Sequence, residues 1–141
     1  MSASQGDDRL RTPPVERFAA EQHTFDLRTE VQALKAEHAP SSRGHRQKTL
    51  YKRGGATIAL FRFERGGGLA PHKTSGTVTI HVIEGRMRIG TAGAPPHGEH
   101  ILTADQLVVL APDVEHDVHA LEESTMLLQV HLDEANVART S

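Results

Sequence analysis

Imidazole and carboxylate groups carry whatever chemistry this chain performs. Its 141 residues include ten histidines and no cysteine, which removes disulfides, thiolate metal sites and a cysteine nucleophile. The histidines (His23, His38, His45, His72, His81, His97, His100, His116, His119 and His131) are spread along the chain. Imidazoles titrate near neutrality and ligate transition metals, so proton transfer and metal binding are the two chemistries to seek. Other local patterns carry less. The basic stretch Arg43, His45, Arg46, Lys48, Lys52 and Arg53 contains no acid, but it lacks the repeated aromatic interleaving of single-strand binders and reads as a charge-protected edge strand. Gly66-Gly67-Gly68 is not followed by the Lys-Ser/Thr pair and helix of a phosphate loop, and reads as a turn. His97, Glu99 and His100 fall in or beside a Pro/Gly-rich loop, where solvent exposure is the expectation. Glu122-Glu123 reads as a turn. No Ser-His-Asp set stands in a recognisable context.

The elements that must position these groups read mostly as β. Residues 1–17, with Pro13-Pro14, form a tail that is disordered or loosely docked. Residues 18–46 form an arm with a short strand over HTFDL (23–27) and a helix from Thr29 to Glu37. In that helix Thr29 and Gln32 make a capping box, while Leu27, Val31 and Leu34 share a face. Period-two patterning begins at Gln47. Two runs around Gly54-Gly55 predict a hairpin, followed by TVTIHVIE, RMRIG, EHIL, QLVVLA, HDVHAL and TMLLQVHL. Short strands at this density predict one closed barrel or sandwich over residues 47–133, with a tail at 134–141.

Two segments resemble a known family. GGGLAPHKTSGTVTIHVIEG resembles the first motif of the cupins: Gly66 opens the frame, His72 takes the first histidine position, and Gly85 the closing glycine. Thr74 stands at the second histidine position and Val78 at the glutamate position. DQLVVLAPDVEHDVHA resembles the second motif, with His116 as its histidine and Asp105, Ala111 and Asp113 replacing the usual Gly, Pro and Gly. Asp113 suits a left-handed turn better than most residues do. The resemblance spans about Leu50 to Leu132. It implies an all-β double-stranded β-helix, the cupin or jelly-roll barrel, with a short N-terminal strand and helix.

The resemblance also implies a site. Cupin metal centres use three imidazoles and a carboxylate for iron, manganese, nickel or zinc; here His72 and His116 alone carry over. Alternation places Val78, Ile80 and Val82 inward and His81 outward, so His81 is a third ligand only if a bulge reverses it. Likewise Val118 faces in and His119 out. The expectation is an apolar pocket lined by Ile80, Val82, Met87, Ile89, Val108 and Leu128, with His72, Thr74 and His116 as polar groups and without a complete metal site. That predicts a small-molecule-binding barrel. The alternatives are a metal-dependent dioxygenase or isomerase using His72, His116 and an unidentified ligand, and a homodimeric interaction protein. A net charge of −2 with neutral histidines gives no signal for nucleic acid or membrane. No apolar run reaches the roughly 18 residues of a membrane span, and the N-terminus is polar, so the expected location is cytoplasmic.

Overall fold

The computed structural model describes residues 18, 20–37, 44–92 and 98–132. Both predicted tails, the segment after the helix and His97 lie outside the described residues. Among the described residues, one helix, α1 (Leu27–Ala36), precedes nine strands. These are β1 (His45–Arg53), β2 (Ala56–Phe63), β3 (Gly68–His72), β4 (Thr77–Glu84), β5 (Arg86–Thr91), β6 (Glu99–Thr103), β7 (Gln106–Leu110), β8 (His116–Ala120) and β9 (Ser124–His131). They form two antiparallel sheets, ordered β1-β2-β9-β4-β7 and β3-β8-β5-β6. The all-β jelly-roll expectation holds.

Alternation decides which side chains the sheets enclose. Val78, Ile80 and Val82 on β4 pack with Met87 and Ile89 on β5, Val118 on β8 and Met126 on β9, each 3% exposed or less. The opposite face of the larger sheet carries a second cluster, Leu50, Leu60 and Leu127, which receives Val31 and Leu34 of α1. Two bulges serve this second cluster. One register shift falls between Thr49 and Tyr51, the other between Val82 and Glu84. The extra residues are Leu50 and Ile83, and both pack beneath the helix.

The strand expected over HTFDL does not form, and the helix starts earlier than expected. Asp26, not Thr29, is the N-cap: its carboxylate accepts the Thr29 N–H at 3.2 Å. A carboxylate cap satisfies an otherwise orphaned donor and favours the positive end of the helix dipole, which draws Leu27 into the first turn. Residues ahead of the cap dock through rings instead of backbone pairing: His23 stacks on Phe25 and meets the edge of Tyr51.

Turn chemistry matches the frame. Gly85 (φ +95°) links β4 to β5, and a side chain there would collide with Ser124; only glycine satisfies both conditions. Asp105 and Asp113 both adopt positive φ, 68° and 67°, in place of the glycines of the second motif.

Charges fasten the helix. Glu84 receives Lys35 at 2.6 Å, Arg62 at 3.0 Å and the Thr125 hydroxyl at 3.0 Å. Arg62 also reaches Glu123, Lys48 pairs with Glu30, and Arg46 donates to the backbone carbonyls of Lys35 and Glu37 at the end of the helix. Burial alone raises the Glu84 carboxyl. The hydrogen bonds from Lys35 and Thr125 and the charges of Lys35 and Arg62 outweigh it, holding the group below its usual 4.5.

Leu34→Ala is expected to cost about 2–5 kcal/mol, read from urea unfolding, because it opens a cavity between helix and sheet. A carboxyl lowered in the folded state contributes stability that is full above the ordinary value and lost as pH falls through the folded one. Glu84→Gln is therefore expected to flatten the acid limb of the stability profile below about pH 5; an unchanged limb would place its origin elsewhere.

Candidate functional site

His116 opens β8, and alternation with Val118 and Ala120 turns it inward at one end of the barrel. His72 closes β3 and reaches the same place by a less regular route. Leu69 pairs with Val118 and His72 with His116, so β3 spends three steps where β8 spends two. Plain alternation from Leu69 would turn His72 to the outside. The extra residue, at Ala70-Pro71, restores it to the face of His116. Proline, having no N–H to give the ladder, is suited to a bulge on an edge strand.

The two imidazoles touch. Their ring centroids are 4.3 Å apart with planes inclined by 59°. His116 is 3% exposed, whereas His72, on the edge strand, is open to solvent. Each ring is oriented by its own backbone: His72 Nδ1 lies 2.8 Å from the Ala70 carbonyl and His116 Nδ1 lies 3.0 Å from the Val114 carbonyl. A carbonyl can only accept, so both Nδ1 atoms carry the proton, and the neutral rings present bare Nε2 lone pairs. Neither Nε2 has a hydrogen-bond partner among the described residues.

Burial pushes the His116 imidazole below its usual 6.5. The hydrogen bond to Val114 works against that shift, the neighbouring His72 adds to it, and the Asp117 carboxylate opposes it. At neutral pH His116 is therefore an uncharged acceptor.

The other expected site residues lie elsewhere. The Thr74 hydroxyl turns back on its own loop, bonding the Gly76 carbonyl and N–H at 3.1 Å, while its carbonyl accepts the Asp113 N–H at 2.8 Å. Val78, Ile80, Val82, Met87 and Ile89 are closed within the core, with Val108 and Leu128 packed against it. His81 occupies the outer face of β4, opposite Leu107 and Leu127. The open space beside His116 is a cleft of about 210 Å³ lined by Pro71, Gly90, Thr91, Ala92, Glu115, His116 and Asp117. Sequence reasoning missed most of this rim. Gly90 was its available signal: a glycine inside a strand pattern marks a close approach, and a side chain there would collide with the Asp117 carboxylate.

A fold of this kind raises the question of a bound transition metal, and the donors answer it in part. Two neutral imidazoles with bare Nε2 atoms suit two ligand positions. Among the described residues, no group of three or more His, Asp or Glu side chains is placed to hold a metal ion. Thr74 is engaged in its own turn and Val78 offers no donor. The described side chains do not by themselves make a full protein-held metal centre.

A family model described as the ChrR cupin-like domain matches residues 27–135. Among solved structures, the chain resembles a conserved protein of unknown function from Streptococcus pyogenes, with 19% identity, 82% of this chain and 91% of that one covered, and a TM-score of 0.62. A cupin superfamily protein from Desulfitobacterium hafniense gives 14% identity, coverage of 83% and 96%, and 0.62. An RmlC-like cupin from Shewanella frigidimarina gives 16%, 82% and 94%, and 0.62. At these identities the likeness is one of fold. No curated protein matches the chain.

A histidine lowered in the folded state gives stability that is full above about pH 6.5 and falls as pH drops toward the folded value, because the unfolded chain takes up the proton first. The imidazole resonances of His116 are expected to titrate below 6.5. A midpoint at or above that value in an NMR titration would refute the buried, neutral assignment.

Proposed function

The chain belongs to the ChrR cupin-like domain family of the cupin superfamily, and from that premise we propose that it binds a small polar molecule at the barrel rim, through His116 and His72. One observation carries the reading: two imidazoles in contact, each with Nδ1 spent on a backbone carbonyl, hold two unpartnered acceptor atoms beside an open cleft. Buried polar atoms normally find a partner. His116 Nε2 has no protein partner within the described fold and borders the open cleft, which leaves it available to a ligand. Ile80, Val82 and Met87 fill the apolar interior and do not line the cleft.

A second reading has a specific observation in its favour. Anchoring Nδ1 on a carbonyl is also how proteins orient metal-binding histidines. In that reading the protein is a metal-dependent dioxygenase or isomerase, with iron, manganese, nickel or zinc held by His72, His116 and an unidentified ligand. The lack of a third ligand side chain among those residues weighs against it. Self-association belongs to the first reading. Edge strand β7 carries no charge and exposes Leu107 and Val109 by 53% and 57%, so an antiparallel copy of itself meets no like charges.

Elemental analysis of protein purified without metal affinity separates the two readings. The expected result is far less than one transition metal per chain; stoichiometric metal, lost in His72→Ala, would overturn the first reading. In a thermal-shift screen of small acids, sugars and amines, a ligand at about a hundred times its Kd adds about 2.7 kcal/mol of stability. That shift is expected to vanish in His116→Ala, with His72→Ala as the exposed, better-tolerated control. Equal shifts in wild type and both variants would remove the histidines from the site.

A further inference from the structure

We infer that the cleft at the barrel rim is selective for a small organic cation, a primary ammonium group, over neutral and anionic molecules of the same shape. The inference rests on the reading that His116 and His72 form a ligand site, and it names the ligand's chemistry.

The cleft offers acceptors. His116, a residue 3% exposed, lines it and its Nε2 has no protein partner among the described residues; His72, outside the lining, stands in ring contact behind it with a second free Nε2. Glu115 on the cleft rim adds a carboxylate, which is an acceptor only; the Asp117 carboxylate lies over Gly90. Among the described residues, no lysine or arginine lines the cleft. The Arg88 guanidinium lies 3.6 Å from Asp117 and 3.5 Å from Glu99, on the outer face of the sheet. It offsets the charge of Asp117 and leaves that of Glu115. A ligand for such a surface must bring donors, and it gains most when those donors are charged.

A primary ammonium carries N–H donors and one positive charge, which suits an imidazole lone pair with a carboxylate charge nearby and needs no third converging side chain. A compact metal ion asks for donors converging at one point, and no three His, Asp or Glu side chains among the described residues do so. A carboxylate ligand would face the Glu115 charge and the imidazole lone pairs, with no cationic side chain among the described lining residues to offset them. A short carbon chain behind the ammonium has Pro71, Gly90 and Ala92 to lie against, and about 210 Å³ admits little more than that.

The test uses butylammonium, butanol and butyrate at matched ionic strength and pH about 8, where His116 is neutral, read by the imidazole resonances of His72 and His116. Butylammonium is expected to shift both rings and to bind about tenfold more tightly than butanol, with butyrate giving no saturable shift. Glu115→Gln is expected to erase most of the preference for butylammonium over butanol, and added salt to weaken the cation alone. Butanol or butyrate binding as well as the cation would overturn the inference while leaving a ligand site at the histidines. Zinc chloride saturating both rings at one equivalent would replace the ammonium with a metal ion. No shift from any of these probes would overturn both the inference and the site on which it rests.

Discussion

A residue in a pleated strand faces either the core or the outside, and this parity governs the whole molecule. Among the described strand pairs it is interrupted at three places. Two interruptions turn Tyr51 and Glu84 to the same outer face as Leu50 and Ile83, on the side of the helix. The third, at Ala70-Pro71, brings His72 to the face of His116. Each bulge adds one residue without disturbing the pairs on either side, so the barrel keeps its core while one local group changes sides. The helix seat and the histidine pair are both products of parity deliberately broken.

Around the histidine pair the electrostatics follow from burial. His116 has no counter-charge in hydrogen-bonding contact and stands against a second imidazole, so protonation is disfavoured by desolvation and by the neighbour. The backbone carbonyls of Ala70 and Val114 then settle the tautomer. What remains is a pair of lone pairs directed away from the main chain. Val78 at the position where cupins carry a glutamate completes this picture: the barrel interior behind the pair is apolar where the family pattern would place a charge.

Much of the fold was legible because alternation is a strong signal when one face is buried. Val78, Ile80 and Val82 against Met126, and the Gly54-Gly55 hairpin, could be read directly from period two. The left-handed turn at Asp113 was legible from its side chain. The helix start was misread because Thr29 and Gln32 matched a capping box, whereas Asp26, three residues earlier, offered a charged acceptor to the same turn. The short strand ahead of it failed for want of a backbone partner, since rings and not ladder bonds hold that segment to Tyr51. At the site, motif spacing located His72 and His116, but spacing cannot show that Thr74 folds back on its own loop. Nor does it reveal a rim built by Gly90, Glu115 and Asp117, which come together only when β5 and β8 pair.

The two sheets divide their duties. The five-stranded sheet carries the helix, its ion pairs and the second apolar cluster; the four-stranded sheet carries both histidines and the cleft. Changes beneath the helix and changes at the rim share no side-chain partner, so their free energies combine as independent quantities. For a chain of modest size this is a form of evolutionary latitude. Side chains at the rim can change without drawing on the ion pairs and apolar contacts that hold the helix to its sheet.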